Sequence, residues 1–230
     1  MSNFDSDGAQ DNEWDERGDL AWNEFDWERY LREQDEAVHR YLGFYEASKD
    51  SINRIDDVAE LMHWGTSAEN AEEARGDFAD GDDNDRDDDD FTDDGDVYTL
   101  HKNPIYVSTR ALYLSLRRQW ELTAAESDHV PQPLALAMLS SLHRGEEQAV
   151  QAIHALDFGD YAMAISLFKR ALSALNHTLA LMNETAAIDQ RAVRAYREMA
   201  LPRLFDLREI WLRVMNECRQ ELERPAEGES

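Results

Sequence analysis

From about Ala21 the apolar positions fall into a helical rhythm: Trp27, Leu31, Gln34, Val38, Tyr41, Tyr45, Ser48, Ile52, Ile55, Ala59 and Met62 follow alternating steps of four and three. That spacing keeps one helix face apolar and predicts a heptad seam. Trp22, Phe25, Tyr30 and Phe44 widen the stripe, which favours packing into a bundle over a free-standing coiled coil. Unbroken, residues 21–64 would form a helix of roughly 65 Å. A turn near Ser48-Lys49-Asp50-Ser51, with Asp50 or Ser51 capping a second helix, is the alternative.

Beyond residue 100 the pattern predicts helices over 104–122, 133–156, 160–183 and 188–222. Asn103-Pro104 reads as a start, with the amide as cap and proline at the first helical position. Ile105, Thr109, Leu112, Tyr113, Leu116 and Trp120 form the inward face of that helix, and Ser127 to Pro133 is turn chemistry. Gly145 is a weak point in the next helix. Phe158-Gly159-Asp160 punctuates the chain, with Asp160 as the following cap, and Pro202 should kink or split the last helix. No strand is expected, since Val97-Tyr98-Thr99-Leu100 is short and isolated. The expected fold is all-α: an antiparallel bundle of about five helices with a long disordered acidic loop and disordered termini. Its segments are an acidic tail (1–20), a helix or hairpin (21–64), an Asp-rich linker (65–100), the main bundle (101–224) and a tail (225–230).

Gly159 to Leu172 (GDYAMAISLFKRAL) resembles the second-helix half of a tetratricopeptide repeat, with its Gly, Tyr, small Ala, Phe and Ala-Leu in place. The first half departs from that pattern, because Gln148, Gln151, Ala152 and Ala155 stand where the family has Trp, Leu, Gly and Tyr, and Asn176 replaces the closing Pro. No copy lies 34 residues away on either side. The resemblance implies a single helical hairpin, closely packed at Ala164 and Ala171, and carries over no peptide groove.

Charge divides the chain. Residues 1–99 hold 33 Asp and Glu against 8 Lys and Arg, whereas residues 100–230 hold 17 against 15. The run Asp87-Asp88-Asp89-Asp90 crowns a stretch too dense in like charge to pack, and residues 1–19 have too little apolar surface to offset ordering entropy. Nucleic acid and anionic membranes should be repelled, and no run of apolar residues is long enough for a membrane span. One cysteine, Cys218, allows no internal disulfide or cysteine zinc cluster. The expected setting is the cytoplasm, in a protein of bacterial type.

Three Glu-x-x-His strings occur, Glu36/His39, Glu60/His63 and Glu126/His129, the motif from which carboxylate di-metal bundles are built. The seam places Glu36 on the outer face and His39, Glu60 and His63 at best beside the core, and Glu126/His129 falls in the turn before Pro131, so no metal site is expected. Residues 90–101 approach a calcium loop, but His101 stands where a bidentate Glu should close the shell. His143 and His154 are too far apart to share a metal, and His177 is isolated. Cys218 lies on an apolar stripe with Trp211, Met215 and Leu222, as a small hydrophobe. No catalytic, cofactor or metal residue is assigned. Arg191, Arg194, Arg197, Arg203, Arg208, Arg213 and Arg219 make the last helix the most basic surface, interleaved with Asp189, Glu198, Asp206, Glu209, Glu217 and Glu221 in solvated pairs. A sharper expectation is that the Asp-rich loop folds back on these arginines.

These features favour a non-enzymatic interaction or adaptor module with an acidic regulatory loop and a basic protein partner. A metal-binding carboxylate/histidine bundle and a self-assembling structural protein, dimerising through the 27–62 seam, are the alternatives.

Overall fold

A computed structural model describes residues 23–64, 103–126 and 130–224. The expectations for the acidic amino-terminal tail, the Asp-rich stretch and its calcium-like loop, Trp22, His129 and the last residues lie outside the described residues. Within them the chain is an all-α bundle: α1 Glu24–Ala47, α2 Arg54–Leu61, α3 Pro104–Glu126, α4 Gln132–Asp157, α5 Tyr161–Glu184 and α6 Arg191–Glu223. A 3-10 turn, Thr185–Ala187, precedes α6. None of these helices is long and apolar enough to cross a membrane.

The first apolar run resolves as a hairpin. Neither Asp50 nor Ser51 caps its second helix; Asn53 stands at that position without a side-chain cap, and the Ser51 hydroxyl accepts the Asn53 N–H at 3.1 Å. The seam is core along only part of its length: Val38, Tyr41 and Tyr45 are buried, but Trp27 and Leu31 are half exposed and Ile52 is 99% exposed at the hairpin turn. Tyr30 and Gln34 are half-buried in the early turns of α1, but no residue from Glu24 to Glu36 is buried.

Local signals place the other ends. Asn103 Oδ1 accepts the N–H groups of Ile105 and Tyr106 at 3.0 and 3.1 Å, and Asp160 Oδ1 accepts that of Met163 at 2.9 Å. Gly159 (φ +72°) closes α4 in the left-handed conformation, where the Asp160 N–H reaches Ala155 O and the Gly159 N–H reaches Leu156 O. The same paired bonds end α2, with His63 at φ +57° bringing Trp64 back to Ala59 O. α4 and α5 form the hairpin that the repeat resemblance implies, with Ala164 and Ala171 fully buried. Ser141 of α4 bonds across it to Ala174 O and Thr178 of α5.

α3 and α6 run antiparallel through the centre. Trp211 Nε1 donates to Thr109 Oγ1 near one end, while the Tyr196 hydroxyl donates to Leu116 O and its ring meets Trp120 near the other. Pro202 does not split α6, which is assigned as one helix. Proline removes one backbone donor in the turn that follows Glu198, and there Arg203 Nη1 donates to the Met199 carbonyl at 2.7 Å. Gly145 is a packing requirement and not a weak point: a Cβ there would stand 2.3 Å from the Tyr113 hydroxyl oxygen.

Candidate functional site

Where α1, α2 and α6 meet, charges placed far apart in sequence close on one another. Asp206, read from the sequence as a solvated partner of α6, is buried, as is Arg203. Asp206 accepts three bonds: from the Tyr45 hydroxyl at 2.5 Å, from Arg54 Nε at 2.5 Å and, through its other oxygen, from Arg54 Nη2 at 2.9 Å. Arg203 pairs with Glu46, and both guanidinium groups lie over the Tyr45 ring, at 5.2 and 5.8 Å from its centroid. Burial, then the hydrogen bond to Asp206, raises the Tyr45 hydroxyl above its usual range, while the same carboxylate raises Arg54. A groove of about 370 Å³ opens beside this cluster, between Lys49 and Pro202. Its charges are answered from within the chain, so the cluster fastens the α1–α2 hairpin to α6.

A second internal pair joins α3 to α4. Glu146 is buried, accepts from Arg110 Nη1 at 2.5 Å and lies 3.2 Å from Arg117 Nε, at an angle too poor for a hydrogen bond.

Two features face outward. The first is the opening half of α1, where Phe25 is 76%, Trp27 52% and Leu31 49% exposed. A helix end without buried residues is marginal in water. This one is held by a capping box between Asn23 and Asp26, by the Asp26–Arg29 and Glu28–Arg32 pairs, and by an edge-on contact of Trp27 with Tyr30. Residues 24–36 carry six acids and two arginines, so the apolar positions sit in a negative surround.

The second is a cleft of about 310 Å³ where α2, Trp64, the start of α3 and the end of α6 come together. Tyr41 forms part of its wall, stacked on Trp64 with ring centroids 5.6 Å apart. Burial and the neighbouring Tyr45 and Asp206 raise the Tyr41 hydroxyl, which has no hydrogen-bond partner among the described residues.

Comparison with protein-family models, curated proteins and solved structures finds no match to this chain.

The residues singled out for chemistry are scattered. Glu36, His39, Glu60 and His63 are exposed, and the His39 ring bonds to the Asp35 carbonyl of its own helix. His143, His154 and His177 are exposed as well. Among the described residues no group of three or more His, Cys, Asp or Glu side chains converges as metal ligands would. Cys218 is buried with Trp211 and Met215, and burial pushes its thiol up; Leu222, placed on the same stripe, is instead 53% exposed. Sequence reasoning missed the Asp206 cluster because α6 carries acids and bases at helical spacing throughout. Phase singles out Arg203, which falls on the face of Ala200, Leu207 and Ile210, but Asp206 shares its phase with the exposed Arg213 and Glu217, so no signal in the sequence marks it.

Proposed function

We propose that this protein is a non-enzymatic interaction module of the cytoplasm that receives a basic partner protein on the exposed half of α1. The observation that carries the reading is one stripe with two fates: its later positions, Val38, Tyr41 and Tyr45, are core, while Trp27 and Leu31, in the same phase, face solvent. Exposed Trp27 and Leu31, one turn apart on one helix face, suit helix-on-helix docking. The acids around them select a partner whose apolar stripe is flanked by Lys and Arg. The acidic sequence from 65 to 102 adds fifteen acids against three bases to the field that steers such a partner inward.

A second copy of the chain is the competing occupant, since Trp27 and Leu31 keep heptad spacing. A net charge of −27 opposes it. The test is calorimetric titration with an acetylated, amidated helical peptide bearing Leu at i, i+4 and i+7 and Lys at its flanks. Binding that weakens at least tenfold in the Phe25→Ser/Trp27→Ser/Leu31→Ser variant supports the reading. Equal binding by that variant, or by a peptide with Glu replacing Lys, defeats it. Mass increasing with concentration in light scattering of the protein alone replaces it with self-association.

A further inference from the structure

The cleft beside Trp64 combines three surfaces that one kind of side chain satisfies together. Ala59, Ile105 and Val214 line it with hydrocarbon. Trp64 adds an aromatic wall, held by its stacking on Tyr41. Two exposed carboxylates stand among the lining residues, and they differ. Asp56 is taken by Arg213, at 2.5 Å, and Arg213 is held from its other side by Glu209 at 3.0 Å. Glu217 makes no ion pair among the described residues.

A long aliphatic stem ending in a planar cation matches this order of surfaces: methylenes against the hydrocarbon, a flat charge against the indole, a fork onto the carboxylate. At about 310 Å³ the space is at the lower limit for small-molecule pockets and suits a single side chain. The cleft is also where residues 65–102 begin and end, since Trp64 and Pro104 both line it. By sequence that stretch has a net charge of −12, which raises the local concentration of cations around the chain.

We propose that this cleft is an anchor site for one arginine side chain of a basic peptide, seated between Trp64 and Glu217. The assignment rests on reading the protein as a module for basic partners, and adds a second point of attachment beyond the exposed stripe of α1. Glu217 supplies the charge, Trp64 the plane, and Ala59, Ile105 and Val214 the dry walls.

The experiment is NMR titration of the full chain, following the six tryptophan indole signals assigned by single Trp→Phe variants. The probe is an acetylated, amidated twelve-residue peptide of alternating Arg and Leu, with a Lys-for-Arg version beside it. The expected result is a saturable shift of the Trp64 signal, with affinity falling three- to tenfold in Glu217→Gln and in the Lys peptide, and unchanged in Glu147→Gln, an equal loss of charge on α4. Equal weakening by Glu217→Gln and Glu147→Gln would reduce the site to diffuse attraction and overturn the proposal. A shift of Trp27 without Trp64 overturns the cleft and leaves the α1 reading standing. Silence of both signals removes both.

Discussion

The Tyr45 hydroxyl donates to Asp206 at 2.5 Å across 161 positions of sequence, and Arg54 closes the same carboxylate from its other side. Breaking a buried pair by removing one member leaves the other charge uncompensated. Asp206→Ala should therefore destabilise the fold by about 2–4 kcal/mol, and Tyr45→Phe by only about 1–2 kcal/mol. Urea denaturation of the two variants, with unchanged dependence on urea concentration, measures the difference. Equal losses would mean that the carboxylate is solvated in the folded state.

Gly145 and Tyr113 are locked together by volume. Tyr113 is fully buried and stacks on Trp211 at 6.1 Å between centroids, so its ring has nowhere to retreat from an added methyl group. Gly145→Ala should cost about 1–3 kcal/mol. Tyr113→Phe removes the oxygen that the new Cβ would meet, so the double variant should recover most of that loss. Additive losses in the cycle would show that the close approach is not the cause.

Gly159 answers to its backbone alone, since a Cβ there meets nothing within 4 Å. At φ +72° an L side chain pays the left-handed penalty, and Gly159→Ala should cost about 1 kcal/mol in thermal or urea unfolding. An unchanged midpoint would mean that the α4–α5 turn relaxes to another conformation.

Alkali should unfold the protein cooperatively. Burial raises Tyr41, Tyr45, Tyr106, Tyr113 and Tyr196 above their ordinary value of 10.0. Each keeps its proton in the folded state at a pH where the unfolded chain releases it, so stability is fully present below pH 10 and falls as pH rises beyond it. Tyrosinate absorbance should show these residues titrating together with loss of helicity. Smooth, independent titration with the helix content intact would contradict the burial.

The capping box at Asn23 supports the part of α1 in which no residue is buried. Asn23→Ala should lose about 1 kcal/mol locally and speed amide exchange from Glu24 to Glu33. The global unfolding midpoint should stay in place, because no residue up to Glu36 is buried. A lowered midpoint would show that these first turns fold with the bundle.

Signals confined to a few neighbouring residues were readable in advance: the Asn103 and Asp160 caps, Gly159 as a stop, and the α4–α5 hairpin with small residues at its contact. Periodicity identified stripes but not where their partners end. Trp27, Leu31 and Ile52 keep the same rhythm as Val38 and Tyr41, and only the reach of the facing helices decides which become core. Polar residues were harder, because Arg203 and Asp206 resemble their solvated neighbours until Glu46 of α1 and Arg54 of α2 meet them. Gly145 looked like a helix defect for the same reason, its purpose being a tyrosine on a different helix.

Trp64 and Pro104 border one cleft, so α2 ends and α3 begins beside the same space. A Gly/Ser bridge one-sixth as long as residues 65–102 would lower the entropic penalty of closing a flexible loop between them by roughly 1.5 kcal/mol. Loop closure therefore sets only a weak limit on how many residues can join those two ends.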